Sequence, residues 1–324
     1  MAILDNIQDR LGDELKAMNE IIKSTLHTVN PMMNEVVDNY LRTKGKQIRP
    51  IIVMLSAKML GEVNESVLYA AAALEMLHNA SLIHDDVVDE TKIRRGQDTI
   101  NSIWGNHVAV LVGDYFVSNA LAVGIRTGNI HVVAALSELG VELSTGEVDQ
   151  LSNARNHTFN EEAYLNMIRK KTASLFMNCM RMGAETSGAT PEQWTPMVRF
   201  AELLGLCFQI RDDVFDYFPA GEIGKPTGND LREGKVTLPL LYALRSAPRT
   251  EVDAMLALLN KEQLSEEEIH TLVEFAVRNG GIDYAYSVMR EMQREGAEIL
   301  EKYPDSDAKK SFSEIFEFII SRKI

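Results

Sequence analysis

The run Ala70-Ala-Ala-Ala73-Leu74-Glu-Met-Leu77-His78-Asn-Ala80-Ser81-Leu-Ile-His84-Asp85-Asp86-Val-Val-Asp89 is apolar on nearly every side of a helical wheel and then ends in three aspartates. The helical pattern begins at Glu65, and no glycine or proline interrupts it before Asp89. One helix over residues 65–89 is therefore predicted. Asp85 and Asp89 are four positions apart and share a face, with Ser81, His78 and Leu74 or Leu77 roughly in line below them. Asp86 is turned about 100° away. Carboxylates at a helix C-terminus meet the unfavourable end of the helix dipole and also repel one another.

A second stretch, Phe208-Gln209-Ile-Arg-Asp212-Asp213-Val-Phe-Asp216, repeats Asp-Asp-x-x-Asp at the end of another apolar helix, expected over residues 198–218. Exposure can relieve one such cluster. Two are better explained by a bound cation. Oxygen-only donors favour a hard ion, magnesium or manganese, over zinc. Magnesium keeps waters and completes its shell with phosphate oxygens, so a phosphorylated substrate is predicted. Lysines and arginines at 46, 49, 94, 95, 171, 225 and 235 are available to receive it. A diphosphate held by metal ions and cations becomes a good leaving group. If the carbon it leaves is allylic, the result is a delocalised carbocation, which apolar helices would shield from water.

The rest of the chain reads as helices with polar connections. Residues 3–26 form one amphipathic pattern, and Pro31 precedes another over 33–41. Thr43-Lys44-Gly45-Lys46-Gln47-Ile48-Arg49-Pro50 is a basic loop at a helix start, suited to an anion; a solvated basic turn would look the same. Residues 104–123 form an apolar helix interrupted by Gly113-Asp114, and 130–151 carry the acidic pair Glu147 and Asp149. Asn160-Glu-Glu-Ala163 is a capped start leading to Lys170-Lys171-Thr172, where the residues alone also allow a snorkelling lysine pair. Pro191 and Pro196 punctuate the following loop and helix start. Gly221 to Gly228 make a flexible connection containing Lys225. No strand alternation, repeat or linker is visible, so a single all-α domain over 1–324 is expected.

Composition agrees. At 324 residues, 45% hydrophobic and 25% charged, the chain can bury a sizeable core. A net charge of −14 argues against nucleic acid or an anionic membrane as the main partner. Cys179 and Cys207 lack metal or redox spacing and read as buried thiols. With no signal or transit pattern and no evident membrane span, a cytoplasmic location is expected, with at most transient membrane contact.

From Gly45 to Pro239 the motifs are similar, in order, to those of the all-trans polyprenyl diphosphate synthases, or trans-prenyltransferases. They are Gly45-Lys46-x-x-Arg49-Pro50, His78, Leu82-Ile-His84-Asp85-Asp86-x-x-Asp89, Arg94-Arg95-Gly96, Gly113-Asp114, Lys171-Thr172-Ala173, Phe208-Gln209-x-x-Asp212-Asp213-x-x-Asp216, Gly224-Lys225 and Asp230-Leu-x-Glu233-Gly234-Lys235. A lone Asp-Asp-x-x-Asp is weak; two in this context are specific. The resemblance implies an orthogonal helical bundle around a deep central cavity, the isoprenoid synthase type, usually homodimeric. It implies head-to-tail (1′-4) condensation of isopentenyl diphosphate with an allylic diphosphate, with magnesium bridging the clusters. Asp85, Asp89 and Asp212 would be direct metal ligands, with Asp86, Asp213 and Asp216 nearby or acting through water. Arg94, Lys171, Lys225 and Lys235 would hold the allylic diphosphate. Lys46, Arg49, His78 and Arg95 would hold isopentenyl diphosphate, and Thr172 and Gln209 would flank the cation.

Within that resemblance, residues below the first aspartates set product length. Ala80 and Ser81 are small, and Ala80 lies about 7–8 Å and Leu77 about 12 Å below Asp85. A long-chain product of C30–C45, most simply octaprenyl, is expected for quinone side chains. A short-chain synthase making farnesyl or geranylgeranyl diphosphate is the nearest alternative. A terpene cyclase needs only one such cluster, and Lys46, Arg49 and Arg95 argue against it. A non-catalytic partner subunit conflicts with two intact clusters.

Overall fold

The computed structural model describes residues 2–42, 45–156, 159–218, 227–261 and 263–321. The chain is all-α, apart from one two-stranded ribbon among the described residues. It forms two compact units, Met1–Val141 with Leu175–Val198 and Tyr303–Glu314, and Glu142–Ser174 with Arg199–Lys302 and Ile315–Ile324.

In the first unit, α1 (Ala2–Arg10), α2 (Gly12–Leu26), α3 (Pro31–Leu41) and α4 (Ile48–Leu60) lead to α5 (Glu65–Val88). The strands β1 (Ile93–Arg94) and β2 (Gln97–Asp98) follow, then α6 (Ile100–Trp104), α7 (Asn106–Arg126) and the start of α8 (Ile130–Arg155). Helix α5 is the expected one. Asn64 caps it by accepting from the Val67 amide at 3.0 Å. Ala70 to Leu74, Met76 and Ala80 are fully buried, which is why the helix is apolar all round. The alanines let neighbouring helices approach closely, and α7 packs along α5 more extensively than α4 or α2 does. Phe116 of α7 is fully buried and meets the Tyr40 ring edge-on at 5.6 Å. Burial of such a side chain contributes about 1.5–3 kcal/mol.

The second unit takes the end of α8, then α9 (Glu161–Ile168), a π-helical turn (Arg169–Ala173) and the start of α10 (Ser174–Thr186). It also holds most of α11 (Pro191–Phe215), α12 (Asn229–Arg232), α13 (Leu238–Ser246), α14 (Arg249–Leu259), α15 (Glu266–Arg278) and α16 (Gly281–Leu300). Helix α17 (Asp307–Ser321) is shared between the units. Leu240, Leu272, Phe275 and Ala276 form a buried cluster on α13 and α15. Cys179 and Cys207 are buried free thiols.

Several expectations are corrected. The single helix over 3–26 breaks at Leu11, whose amide bonds back to both Ile7 and Gln8. The interruption expected at Gly113-Asp114 falls instead at Gly105, with φ +85°. Gly113 continues the helix: a Cβ there would lie 2.2 Å from His84 Nε2, so the glycine admits the imidazole rather than ending the helix. Pro196 lies inside α11, not in a loop, and the Pro191 carbonyl is taken up by the Thr195 hydroxyl at 2.7 Å. Two helices, α5 and α7, are long and apolar enough to cross a membrane by composition, although none was expected. Most of α5 is buried within the protein. Helix α7 keeps Val110, Leu111 and Ile125 exposed, Leu111 at 64%.

Candidate active site

In the first unit the chemistry gathers at the end of α5. The Asp89 amide bonds to the Asp85 carbonyl at 2.8 Å and the Thr91 amide to the Asp86 carbonyl at 2.9 Å, closing the helix. The chain then turns through the β1–β2 hairpin. Arg95 and Gly96, both with positive φ (54° and 75°), form its tip, as a two-residue hairpin turn requires. The hairpin carries Arg94 back so that its Nε donates to Asp86 Oδ1 at 2.7 Å. The Asn101 amide ties down the Asp86 and Thr91 carbonyls at 3.0 and 3.1 Å. Asp86 is buried, while Asp85 is half-buried and Asp89 exposed. Burial raises the Asp86 carboxyl above its ordinary range, and Arg94 opposes the shift.

The basic loop is built on Gln47, whose left-handed backbone (φ 48°) precedes the first turn of α4. Its side chain pairs with Asn19, donating at 3.0 Å, and Gln8 Nε2 donates to the Lys46 carbonyl at 2.8 Å. Lys46 is exposed. Arg49 is half-buried, over the Phe176 ring at 5.8 Å from the centroid. The Arg95 guanidinium lies against Gly45, where a Cβ would come within 2.7 Å of it. A cavity of about 540 Å³ opens here, lined by Tyr40, Gly45, Gln47, Glu75, Asn79 and Arg95 among others. His78 is buried, and its Nε2 has no hydrogen-bond partner among the described residues. Burial, then the charges of Arg49, Arg95 and Arg94, push its pKa well below the ordinary value, so it is neutral at pH 7. Those three arginines and His78 are thus brought into one neighbourhood.

Below this, Leu77 and Ala80 are buried, and Ser81 is half-buried with its hydroxyl donating to the His78 carbonyl at 2.9 Å.

In the second unit, the Asn160 side chain accepts from the Ala163 amide at 2.7 Å and starts α9. That helix widens into the π-helical turn carrying Lys170, Lys171 and Thr172. Such one-turn widenings recur at functional sites. Here the turn spreads the two lysines toward the acidic pair on α8. Lys170 meets Asp149 at 2.7 Å, and Lys171 meets Glu147 at 2.5 Å and Gln150 Oε1 at 3.1 Å. The lysines are therefore ion-paired and not merely snorkelling.

The second cluster divides like the first. Asp212 is exposed. Asp213 is buried and accepts from the Tyr164 hydroxyl at 2.6 Å and Gln209 Nε2 at 2.7 Å. Thr172 Oγ1 donates to Gln209 Oε1 at 2.7 Å. Asp216 accepts from the Asn229 and Asp230 amides at 2.9 and 3.0 Å, holding the start of α12. Lys235 pairs with Glu233. Asp230, half-buried near Asp213 and Asp216, is pushed up to about 8, by loss of solvent first and then by those two carboxylates. A cavity of about 150 Å³ is lined by Tyr164, Lys171, Thr172, Gln209, Asp230 and Lys235 among others. Lys225 lies outside the described residues.

Asp89 and Asp212 are thus exposed, Asp85 and Asp216 half-buried, and Asp86 and Asp213 buried. Among the described residues no group of three or more His, Cys, Asp or Glu side chains is placed to hold a metal ion. Carboxylate oxygens are donors of the kind a hard ion such as magnesium takes in ones and twos, with water and phosphate oxygens in its remaining positions.

Sequence reading did not find Tyr164, Glu75, Asn101 or the hairpin. The Arg95-Gly96 pair is a weak turn signal, and the partners of the others lie far away in the chain.

The polyprenyl synthetase family model matches residues 30–276. Heptaprenyl diphosphate synthase component 2 of Bacillus subtilis is 33% identical over 97% of this chain and 89% of its own length. Octaprenyl diphosphate synthase of Escherichia coli is 36% identical over 74% of this chain and 75% of its own. A short chain isoprenyl diphosphate synthase of Methanothermobacter thermautotrophicus is 30% identical over 98% and 99%. Among solved structures, a decaprenyl diphosphate synthase from Rhodobacter capsulatus superposes with a TM-score of 0.93, at 30% identity over 99% of both chains. A polyprenyl synthase from Caulobacter crescentus, complexed with calcium and isoprenyl diphosphate, gives 0.91 at 27% identity, covering 99% of this chain and 98% of its own. With the two aspartate clusters and the helical fold that presents them, these matches establish that the chain belongs to the polyprenyl synthetase family and is a prenyltransferase of the isoprenoid synthase fold.

Proposed function

We propose that the protein condenses isopentenyl diphosphate head-to-tail with an allylic diphosphate to build a long all-trans polyprenyl diphosphate, about C30–C45 and most simply octaprenyl. The observation that carries this reading is the helix beneath the first aspartates, where Ala80 and Ser81 put little bulk within two turns of Asp85.

Asp85, Asp89 and Asp212 would hold magnesium (manganese can substitute) together with the allylic diphosphate. Bound magnesium supplies charge compensation as the diphosphate departs. Arg94, Lys171, Lys235 and Lys225 add cationic donors to that leaving group. Lys171 exchanges Glu147 for a phosphate oxygen, so the acid keeps it positioned before substrate arrives. Lys46, Arg49, Arg95 and neutral His78 hold isopentenyl diphosphate, His78 as a hydrogen-bond donor and not a charge. Thr172 and Gln209 turn their dipoles to the carbocation, and the departing diphosphate accepts the final proton.

Relatives named for short and long products both align along the chain, so product length needs its own test. Incubation with farnesyl and isopentenyl diphosphates, followed by chromatographic sizing, should give C30 or longer. Accumulation only at C15 or C20 would establish the short-chain alternative. Ala80→Phe should shorten the product by two or more isoprene units while leaving the first condensation within about threefold of wild type. Unchanged length would remove Ala80 from the floor.

The homodimer is supported by the apolar residues that α7 leaves exposed, Val110, Leu111 and Ile125. A relative named as a component of a heptaprenyl synthase makes a second subunit the competing occupant. Leu111→Glu, at an exposed position, should change stability by less than about 0.5 kcal/mol yet convert a dimer to monomer in light scattering. A dimer that persists would place the interface elsewhere.

A further inference from the structure

We propose that Tyr164 is a positioning residue, holding Asp213 as the fixed acceptor of a hydrogen-bonded line that sets how Gln209 and Thr172 face the substrate. The inference rests on the prenyl-transfer reading above and deepens it.

Each Asp213 carboxylate oxygen has its own donor. Oδ2 accepts from the Tyr164 hydroxyl at 2.6 Å, and Oδ1 accepts from Gln209 Nε2 at 2.7 Å. Asp213, Tyr164 and Thr172 are all buried, at 6%, 3% and 8% exposure, whereas Asp212 next door is exposed. A metal on Asp213 would have to displace one of these bonds inside the protein.

The line also has a direction. An ionised carboxylate only accepts, so the Gln209 amide must turn its NH₂ toward Asp213. Its carbonyl then faces Thr172, whose hydroxyl proton is committed to that oxygen at 2.7 Å. What Thr172 leaves for the cavity is oxygen lone pairs. An electron-rich oxygen stabilises a developing cation, and an outward-pointing proton would oppose it. The orientation is therefore set two residues away from the chemistry. Tyr164 stands on α9, which runs directly into the π-helical turn bearing Thr172, so one segment carries both ends of the line.

The full-length protein with Asp212→Asn, Asp213→Asn or Tyr164→Phe is compared with wild type in two measurements. The first is calorimetric titration with magnesium and inorganic diphosphate, which needs no turnover. Asp213→Asn can offer its oxygen to Gln209 and its NH₂ to the Tyr164 oxygen, so the line keeps its direction. It should bind magnesium diphosphate within about threefold of wild type, whereas Asp212→Asn should bind at least about tenfold more weakly. Equal weakening in the two variants would make Asp213 a ligand and overturn the proposal.

The second measurement is steady-state kinetics with farnesyl and isopentenyl diphosphates. Tyr164→Phe should lower kcat about tenfold, with KM for both substrates within about twofold and an unchanged magnesium requirement. An unchanged kcat in Tyr164→Phe, or kcat and KM moving together, would overturn the positioning role. An inactive wild type would sink the prenyl-transfer reading instead, and the calorimetry would still decide whether Asp213 binds metal.

Discussion

Replacing Asp85 or Asp212 by asparagine should lower kcat by about 10³-fold and leave the protein at least as stable as before. Both effects come from the same feature. These carboxylates stand at the ends of apolar helices, where the dipole and their neighbours disfavour negative charge. Removing one charge relieves that cost, and the melting temperature should hold or rise by a degree or two, on the scale of about 0.5 kcal/mol. In the proposed function the same charge would retain the metal against a departing diphosphate, and losing one such electrostatic contact typically costs about 2.7–4 kcal/mol in the transition state. Asp86 behaves differently, because it is buried and receives Arg94 at 2.7 Å. Arg94→Ala leaves that carboxyl unpaired in the interior, so stability and activity fall together. Turnover and thermal unfolding measured on the same preparations separate the two classes. An Asp85→Asn protein with more than a tenth of wild-type kcat would contradict the assignment.

Metal-free protein should become less stable as pH rises from about 5 to 9, by about 5 °C in melting temperature, or on the order of 2 kcal/mol. Burial is the first cause. It pushes Asp213 up to about 6, against the bonds from Tyr164 and Gln209 and with help from Asp212 and Asp216. Asp230 is pushed up to about 8, by burial and by Asp213 and Asp216, with Lys235 opposing. Both folded values lie above the ordinary carboxyl value near 3.8, so the folded chain holds protons that the unfolded chain releases. The associated stability is complete below about pH 4 and is lost as pH passes 6 and then 8. His78 acts oppositely on the acid side. Its lowered pKa means that the unfolded chain gains a proton below about 6.5 that the folded chain refuses, which limits the rise toward low pH. Asp230→Asn should flatten the upper part of the profile. A melting temperature that climbs between pH 6 and 9, or is indifferent to Asp230→Asn, would remove these two acids from the account.

The helical fold was legible because apolar residues at helical spacing, capped by Asn64 and ended by charge, leave little choice for residues 65–88. Asp85 and Asp89 were readable for the same reason, since spacing alone puts them on one face. Glycine was the ambiguous signal. Gly113 looks like a helix break in sequence, but it admits His84 instead, and Gly105 carries the actual break. The β1–β2 hairpin is too short for alternation to register, although it aims Arg94 at Asp86. A π-helical turn leaves no periodic mark, so the spread of Lys170 and Lys171 toward Asp149 and Glu147 could not be anticipated. The resemblance separates Asp212 from Asp213, but no local pattern shows the physical reason for that separation. It depends on Tyr164, whose hydroxyl comes from another helix 49 positions earlier in the chain.

The most direct test is incubation of the purified chain with farnesyl diphosphate and radiolabelled isopentenyl diphosphate, with magnesium and again with excess chelator. Magnesium-dependent incorporation of label into prenyl diphosphates longer than C15, abolished by the chelator and by Asp212→Asn, is the predicted result. Farnesyl diphosphate consumed without incorporation of label, or incorporation indifferent to the chelator, would contradict the account.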